Sequence, residues 1–213
     1  MEEQQRLETE IIVVLDRSGS MDHIGNSTVE GFNTFLNEQQ NADGEAFITL
    51  IQFDDRYEVD YKSLPVNEAK KLIYKETFVP RGTTALLDAI GKTIEELETK
   101  RDVIFVIITD GFENASNVYK REAIMKMIET KQEEGWKFLF LAANQDAIAV
   151  GGSIGIKGDN AMTWGTDEVS VSNTYTSFSK NIVNYRNTKF SGSEITEDTL
   201  SFSDEQRKDS KKS

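Results

Sequence analysis

Short unbroken apolar runs alternate along this chain with stretches whose apolar positions recur every three or four residues. Ile11-Ile12-Val13-Val14-Leu15 is the first run, and it predicts a strand over Glu10–Leu15. Phe47–Phe53 and Tyr57–Leu64 read as two more strands. Their link, Asp54-Asp55-Arg56, is too short for anything except an antiparallel hairpin. Val103–Thr109 is apolar on both faces, as a parallel strand covered by helices tends to be. Trp136–Ala142 and the short Ala161–Trp164 complete the strands.

The helical stretches fall between them. Ser27 and Glu30 read as a capping box opening a helix to about Asn41, with Val29, Phe32, Phe35 and Leu36 on one face. Pro65 ends its strand and begins a short amphipathic piece through Tyr74. Leu86, Ile90, Ile94 and Leu97 predict a helix over Thr84–Lys100. Ala123, Ile124, Met127 and Ile128 are the inward positions of Tyr119–Glu134, which Gly135 stops. Asp146–Ile154 reads as a short helix broken by Gly151-Gly152. Val171, Tyr175, Phe178, Ile182 and Tyr185 predict a last helix over Val169–Arg186. From Thr188 to Ser213 apolar residues are scarce, so a disordered or loosely docked tail is expected.

Alternating strands and helices predict an α/β fold. It is a doubly wound, mostly parallel sheet with one antiparallel edge hairpin strand and helices on both faces. The 213 residues suit one sizeable domain, taken as 1–187 with the tail as 188–213. No cysteine is present, which excludes disulfide and thiolate chemistry and fits a reducing compartment. The first ten residues are too polar for the core of a secretory signal, and no apolar run approaches the roughly 18 residues of a membrane span. A soluble, cytoplasmic monomer without membrane contact is expected. The formal charge of −13 repels phosphate backbones, so nucleic acid is not an expected partner.

In such sheets ligands bind beyond the carboxyl ends of the strands, at the point where strand order reverses. Asp16-Arg17-Ser18-Gly19-Ser20 stands there, directly after the first strand. Ile107-Ile108-Thr109-Asp110-Gly111 ends the central strand, and Gly82-Thr83-Thr84 leads into the helix before it. Carboxylates and hydroxyls on tight turns are hard oxygen donors, suited to Mg²⁺ or Mn²⁺ rather than to a soft-ligand metal. Each residue also has an ordinary explanation as a helix cap or turn former. It is their joint placement at one sheet edge that favours a metal site.

D-x-S-x-S at Asp16, Thr84 in its G-T-T-A-L-L-D-A-I stretch and the Thr109-Asp110-Gly111 turn together resemble a von Willebrand factor A-type domain over about Glu10 to Arg186. The resemblance implies a metal-ion-dependent adhesion site. Ser18 and Ser20 would bind the ion through their hydroxyls, Asp16 and Asp110 directly or through water, and Thr84 in either way. It further implies a non-enzymatic protein-binding module that accepts a partner's Glu or Asp at the metal. The alternative is a metal-dependent hydrolase or phosphotransferase using the same site. It lacks the D-x-D-x-[TV], G-x-S-x-G and G-K-[ST] patterns, and only His23 or a carboxylate could serve as its base.

Neighbouring residues give weaker expectations. His23, the only histidine, is a surface or capping residue or a ligand contact near the metal. Glu113 and Asn114 should line the same rim, and Asn144-Gln145-Asp146 is either a partner contact or a helix start. Arg17 and Arg81 should point to solvent beside the site, and Glu194, Glu197 and Asp198 make an internal acidic ligand from the tail conceivable.

Overall fold

The apolar runs become the strands of one six-stranded sheet in a computed structural model that describes residues 8–143 and 146–211. The strands are β1 (Thr9–Asp16), β2 (Ala46–Phe53), β3 (Tyr57–Pro65), β4 (Asp102–Thr109), β5 (Lys137–Ala143) and β6 (Ala161–Trp164), in the order β3-β2-β1-β4-β5-β6. All pairings are parallel except β2 with β3, the antiparallel hairpin at one edge. The helices are α1 (Gly25–Asn41), α2 (Leu86–Glu96), α3 (Arg121–Glu133), α4 (Ala147–Gly152), α5 (Glu168–Phe190) and α6 (Asp204–Asp209).

Strand alternation divides the core in two. Ile11, Val13 and Leu15 of β1 pack with Phe32, Phe35, Leu36, Tyr175, Phe178 and Ile182 under α1 and α5. Ile12 and Val14 pack with Leu86, Ile90, Ile94, Ile124 and Ile128 under α2 and α3. The chain leaves β1 for β2 on one side, while β4 lies on the other. The strand order therefore reverses between β1 and β4. Their register pairs Leu15 with Ile108, so Asp16 and the Thr109-Asp110 turn emerge together at the carboxyl edge.

Three local readings are corrected. Ser27 and Glu30 do not cap α1. A 3₁₀ turn over Gly19–Ile24 runs straight into the helix, and the Gly25 N–H is taken by the Asp22 carbonyl. The helix expected from Thr84 begins at Leu86 and ends at Glu96. Ala123 is exposed, leaving α3 to bury Ile124 and Ile128. Gly135 ends that helical segment at φ +97°, a conformation that favours glycine.

The segment after 187 also departs from expectation. α5 continues to Phe190, and a 3₁₀ turn at Glu197–Leu200 and α6 follow it. Leu200 and Phe202 join the core under α5. Gly165 N–H donates to the Ser210 carbonyl at 2.8 Å, and Ser210 Oγ donates to the Thr163 carbonyl at 2.9 Å. Arg207 donates to the carbonyls of Ala161 and Gly158. Two apolar anchors and a row of polar contacts to the β6 edge hold this segment, despite its low apolar content.

Candidate metal centre

Asp16 ends β1 fully buried. Its Oδ1 accepts from the Ser18 N–H at 2.7 Å, which folds the D-x-S-x-S turn back on itself. Its Oδ2 accepts from Thr109 Oγ1 at 2.5 Å, across to β4. Ser18 Oγ lies 3.0 Å from Ser20 Oγ, and Ser20 Oγ donates to Asp110 Oδ1 at 2.6 Å. Thr84 reaches the same place. A Cβ built on Gly111 would lie 2.8 Å from Thr84 Oγ1, 3.4 Å from Ser20 Oγ and 3.6 Å from Asp16 Oδ2. Asp16, Ser18, Ser20, Thr84 and Asp110 thus converge in one cluster, with the missing side chain of Gly111 leaving room among them.

Thr84 is free to face the cluster because it does not cap its helix. Residue Ala85 stands at the N-cap without a side-chain bond. The first N–H groups of α2 are instead served from the loop after β4: Leu87 N–H donates to Glu113 Oε2 at 2.9 Å and Asp88 N–H to Ser116 Oγ at 3.0 Å. Thr84 N–H donates to Asn114 Oδ1 at 2.9 Å. Glu113 and Asn114 therefore hold the loops together rather than lining the rim.

Arg17 is buried, not solvent-facing. Its Nε donates to Asp54 Oδ2 at 3.0 Å, and Arg81 Nε donates to the same oxygen at 2.9 Å. Both guanidinium groups also pair with Glu58 Oε1, at 2.7 and 2.5 Å. Arg81 N–H donates to the Arg17 carbonyl at 2.9 Å and Gly19 N–H to the Gly82 carbonyl at 3.2 Å. Asp54, fully buried, is therefore the brace that joins the β1 loop, the β2–β3 turn and the loop carrying Thr84.

Burial dominates the electrostatics. It pushes the Asp16 carboxyl up to about 6, against the Thr109 and Ser18 hydrogen bonds that favour the charged form. Burial also raises Asp110, opposed by the Ser20 hydroxyl and by His23. The Arg17 hydrogen bond, with Arg81, holds Glu58 down at about 2. His23 stands at the rim. Its Nδ1–H donates to the Ser20 carbonyl, and Nδ1 lies 4.0 Å from Asp110 Oδ2.

Two features of these atoms fit a hard divalent cation. Asp110 Oδ2 is buried with no hydrogen-bond partner among the described residues, a state normally avoided for a carboxylate oxygen. The space before Gly111 is bounded by three oxygen atoms, from Asp16 and Ser20 of the turn after β1 and from Thr84 of a second loop. Among the described residues no three His, Cys, Asp or Glu side chains are grouped to hold a metal, and the oxygen groups gathered here are two carboxylates and three hydroxyls. Such a set suits Mg²⁺ or Mn²⁺.

The remaining sequence candidates fall elsewhere. Asn144 and Gln145 lie outside the described residues. Asp146 caps α4 by accepting from the N–H groups of Ile148 and Ala149. Ile195 and Asp198 line a cavity with Trp136 and Phe138 at the start of β5. The tail segment that includes Glu194 is thus at the opposite end of the sheet from Asp110. The positioning role of Thr109 toward Asp16 and the bracing role of Asp54 are not legible in the sequence. The polar Thr109 closing an apolar strand was the one available signal for the first. Asp54 looked like an ordinary turn residue.

No protein-family model and no curated protein sequence matches this chain. Solved structures match its fold. The ArnB paralog VWA2 from Sulfolobus acidocaldarius is 18% identical at TM-score 0.56, over 80% of this chain and 44% of that one. Pilus adhesin SpaC from Lactobacillus rhamnosus GG is 14% identical at TM-score 0.65, over 83% and 31%. Proximal thread matrix protein 1 from the mussel byssus, in a structure with a zinc-occupied MIDAS motif (metal-ion-dependent adhesion site), is 15% identical at TM-score 0.55, over 83% and 46%. This chain spans less than half the length of each of these structures. At these identities the likeness concerns the fold, which is that of a von Willebrand factor A-type domain.

Proposed function

We propose that this chain is a non-enzymatic protein-binding module that holds Mg²⁺ or Mn²⁺ and, at the metal, takes an acidic side chain from a partner protein. The observation that carries the reading is the unpartnered, buried Asp110 Oδ2 in a cluster with Ser20, Thr84 and Asp16. Asp16 and Asp110 would supply the charged oxygens, and Ser18, Ser20 and Thr84 the neutral ones. Two carboxylates at most balance a divalent ion, and the hydroxyls add no charge. The ion therefore supplies a Lewis-acidic position that favours an anionic oxygen.

The protein's own atoms do the positioning. Thr109 and the Ser18 N–H orient Asp16. Ser20 orients Asp110, and Asn114 and Glu113 fix the Thr84 loop against α2. The N-terminus of α1 opens one 3₁₀ turn beyond Ser18, where its dipole favours negative charge. The zinc-occupied MIDAS motif named for the mussel protein supports a divalent ion in this fold.

The test has two arms. Calorimetric titration of Mg²⁺ and Mn²⁺ into wild type and Asp110→Ala should show binding only to wild type. Pull-downs with wild type and Asp16→Ala, in Mg²⁺ and in EDTA, should recover a partner only with wild type in Mg²⁺. A partner held equally well in EDTA refutes the metal-mediated contact. Reproducible phosphatase or nuclease turnover abolished by Asp110→Ala refutes the non-enzymatic reading.

A further inference from the structure

The loop between β4 and α3, residues 111–120, is held by polar groups that bond to its own backbone and to α2, although Asn114, Asn117 and Lys120 are also exposed. Glu113 accepts from the N–H groups of Leu87, Ala115 and Ser116 at 2.9, 3.0 and 2.8 Å. The Asp88 carboxylate accepts from the N–H groups of Asn117, Val118 and Tyr119 at 2.8, 3.0 and 2.8 Å. Asn114 and Ser116 are used by Thr84 and Asp88. Two large apolar side chains are turned outward: Phe112 is 64% exposed and Val118 is 74% exposed.

That exposure needs a reason. A loop without regular structure ordinarily shows its polar side chains to water and tucks its apolar ones away. Here the backbone is pinned to the first turn of α2, so Phe112 is held out on a fixed support. It directly follows Gly111, whose Cα faces Thr84, Ser20 and Asp16. Adjacent Cα atoms are about 3.8 Å apart, so Phe112 is anchored in the chain one residue from that cluster.

We propose that Phe112, assisted by Val118, is the apolar half of a two-part docking surface at the metal centre. Its occupant is a protein segment carrying a single Asp or Glu next to a bulky aliphatic or aromatic residue. The proposal rests on the metal-centre reading above. Charge narrows the occupant further. The chain carries −13, so a run of acids is repelled at long range and gains nothing from its extra charges. One acid in an apolar setting meets the ion while its neighbour covers the ring.

A displayed library of short random peptides, built once with a central Glu and once with a central Gln, tests this against the full chain in Mg²⁺ and in EDTA. Wild type should enrich Glu-centred peptides with apolar residues beside the Glu. The Phe112→Ser, Val118→Ser double variant changes only exposed side chains and should still fold. It should keep the demand for Glu, lose the flanking preference, and bind the wild-type winners about tenfold more weakly. Random flanks on wild type, unchanged affinity in the double variant, or no enriched peptide overturns the docking surface. Equal recovery in EDTA or from the Gln library overturns the metal-centre reading, and with it the acidic half of the proposal.

Discussion

Replacing Asp16 by Asn should stabilise the metal-free protein, although Asp16 is buried and makes two hydrogen bonds. Burial raises its carboxyl from 3.8 to about 6. A folded value above the unfolded one means that the fold binds the proton more tightly than the unfolded chain does. The protonated carboxyl is tolerated below about 3.8, and the burden of the charge grows as pH rises through 6. Above that it amounts to about 3 kcal/mol. The amide removes the charge while keeping the contacts. Its oxygen can accept from the Ser18 N–H, and its NH₂ can donate to Thr109 Oγ1, whose hydroxyl can turn to the Gly111 carbonyl 3.2 Å away. In EDTA at pH 7.5 we expect Asp16→Asn to gain about 1–3 kcal/mol, or roughly 2–10 °C in Tm. The gain should shrink toward zero near pH 4. Urea and thermal unfolding across that range measure it. With Mg²⁺ added, wild type should gain stability by mass action and the variant should not. A variant less stable than wild type by more than about 1 kcal/mol at pH 7.5 in EDTA, or a pH-independent difference, refutes the argument that burial of this charge strains the fold.

Other substitutions address the remaining parts. Gly111→Ala places a Cβ 2.8 Å from Thr84 Oγ1 and should weaken Mn²⁺ binding at least about tenfold by calorimetry, with a metal-free Tm within a few degrees of wild type. Asp54→Asn leaves Arg17 Nε and Arg81 Nε facing an amide, and should cost about 3 kcal/mol in urea unfolding. Hydrogen exchange of the Gly19 and Arg81 amides should then rise, since both bond across the loops that Asp54 joins. Deleting residues 197–213 removes Leu200 and Phe202 from the core and uncovers the β6 edge. We expect a lower Tm and concentration-dependent association by light scattering.

How far each feature was legible depended on the distance over which it is decided. Apolar runs and three-four spacing identified every strand and the long helices, because burial of a strand face or helix stripe repeats within a few residues. Val171, Tyr175, Phe178, Ile182 and Tyr185 are all buried as their spacing predicts. Helix starts were less legible. The capping box at Ser27 lost to a 3₁₀ turn that delivers the chain directly into α1, and Thr84 lost its capping role to Glu113, 29 positions along the chain. How the segment after 187 docks is not legible in composition, which averages over residues, whereas the docking rests on a few of them: Leu200 and Phe202 in the core, and Arg207 and Ser210 at the β6 edge.

The order of residues alone determined the alternation of strands and helices, the parallel sheet with its hairpin edge, and the oxygen-rich turns that follow β1 and β4. Those are consequences of side-chain polarity acting along a few neighbouring positions. Only the tertiary structure decided which groups meet: Arg17 with Asp54 and Arg81, Thr109 with Asp16, Glu113 with the first turn of α2, and Phe112 left outside. Each of these choices joins segments far apart in the chain. Their energies come from desolvation and hydrogen-bond geometry, and neither exists until the sheet has brought the loops to one edge.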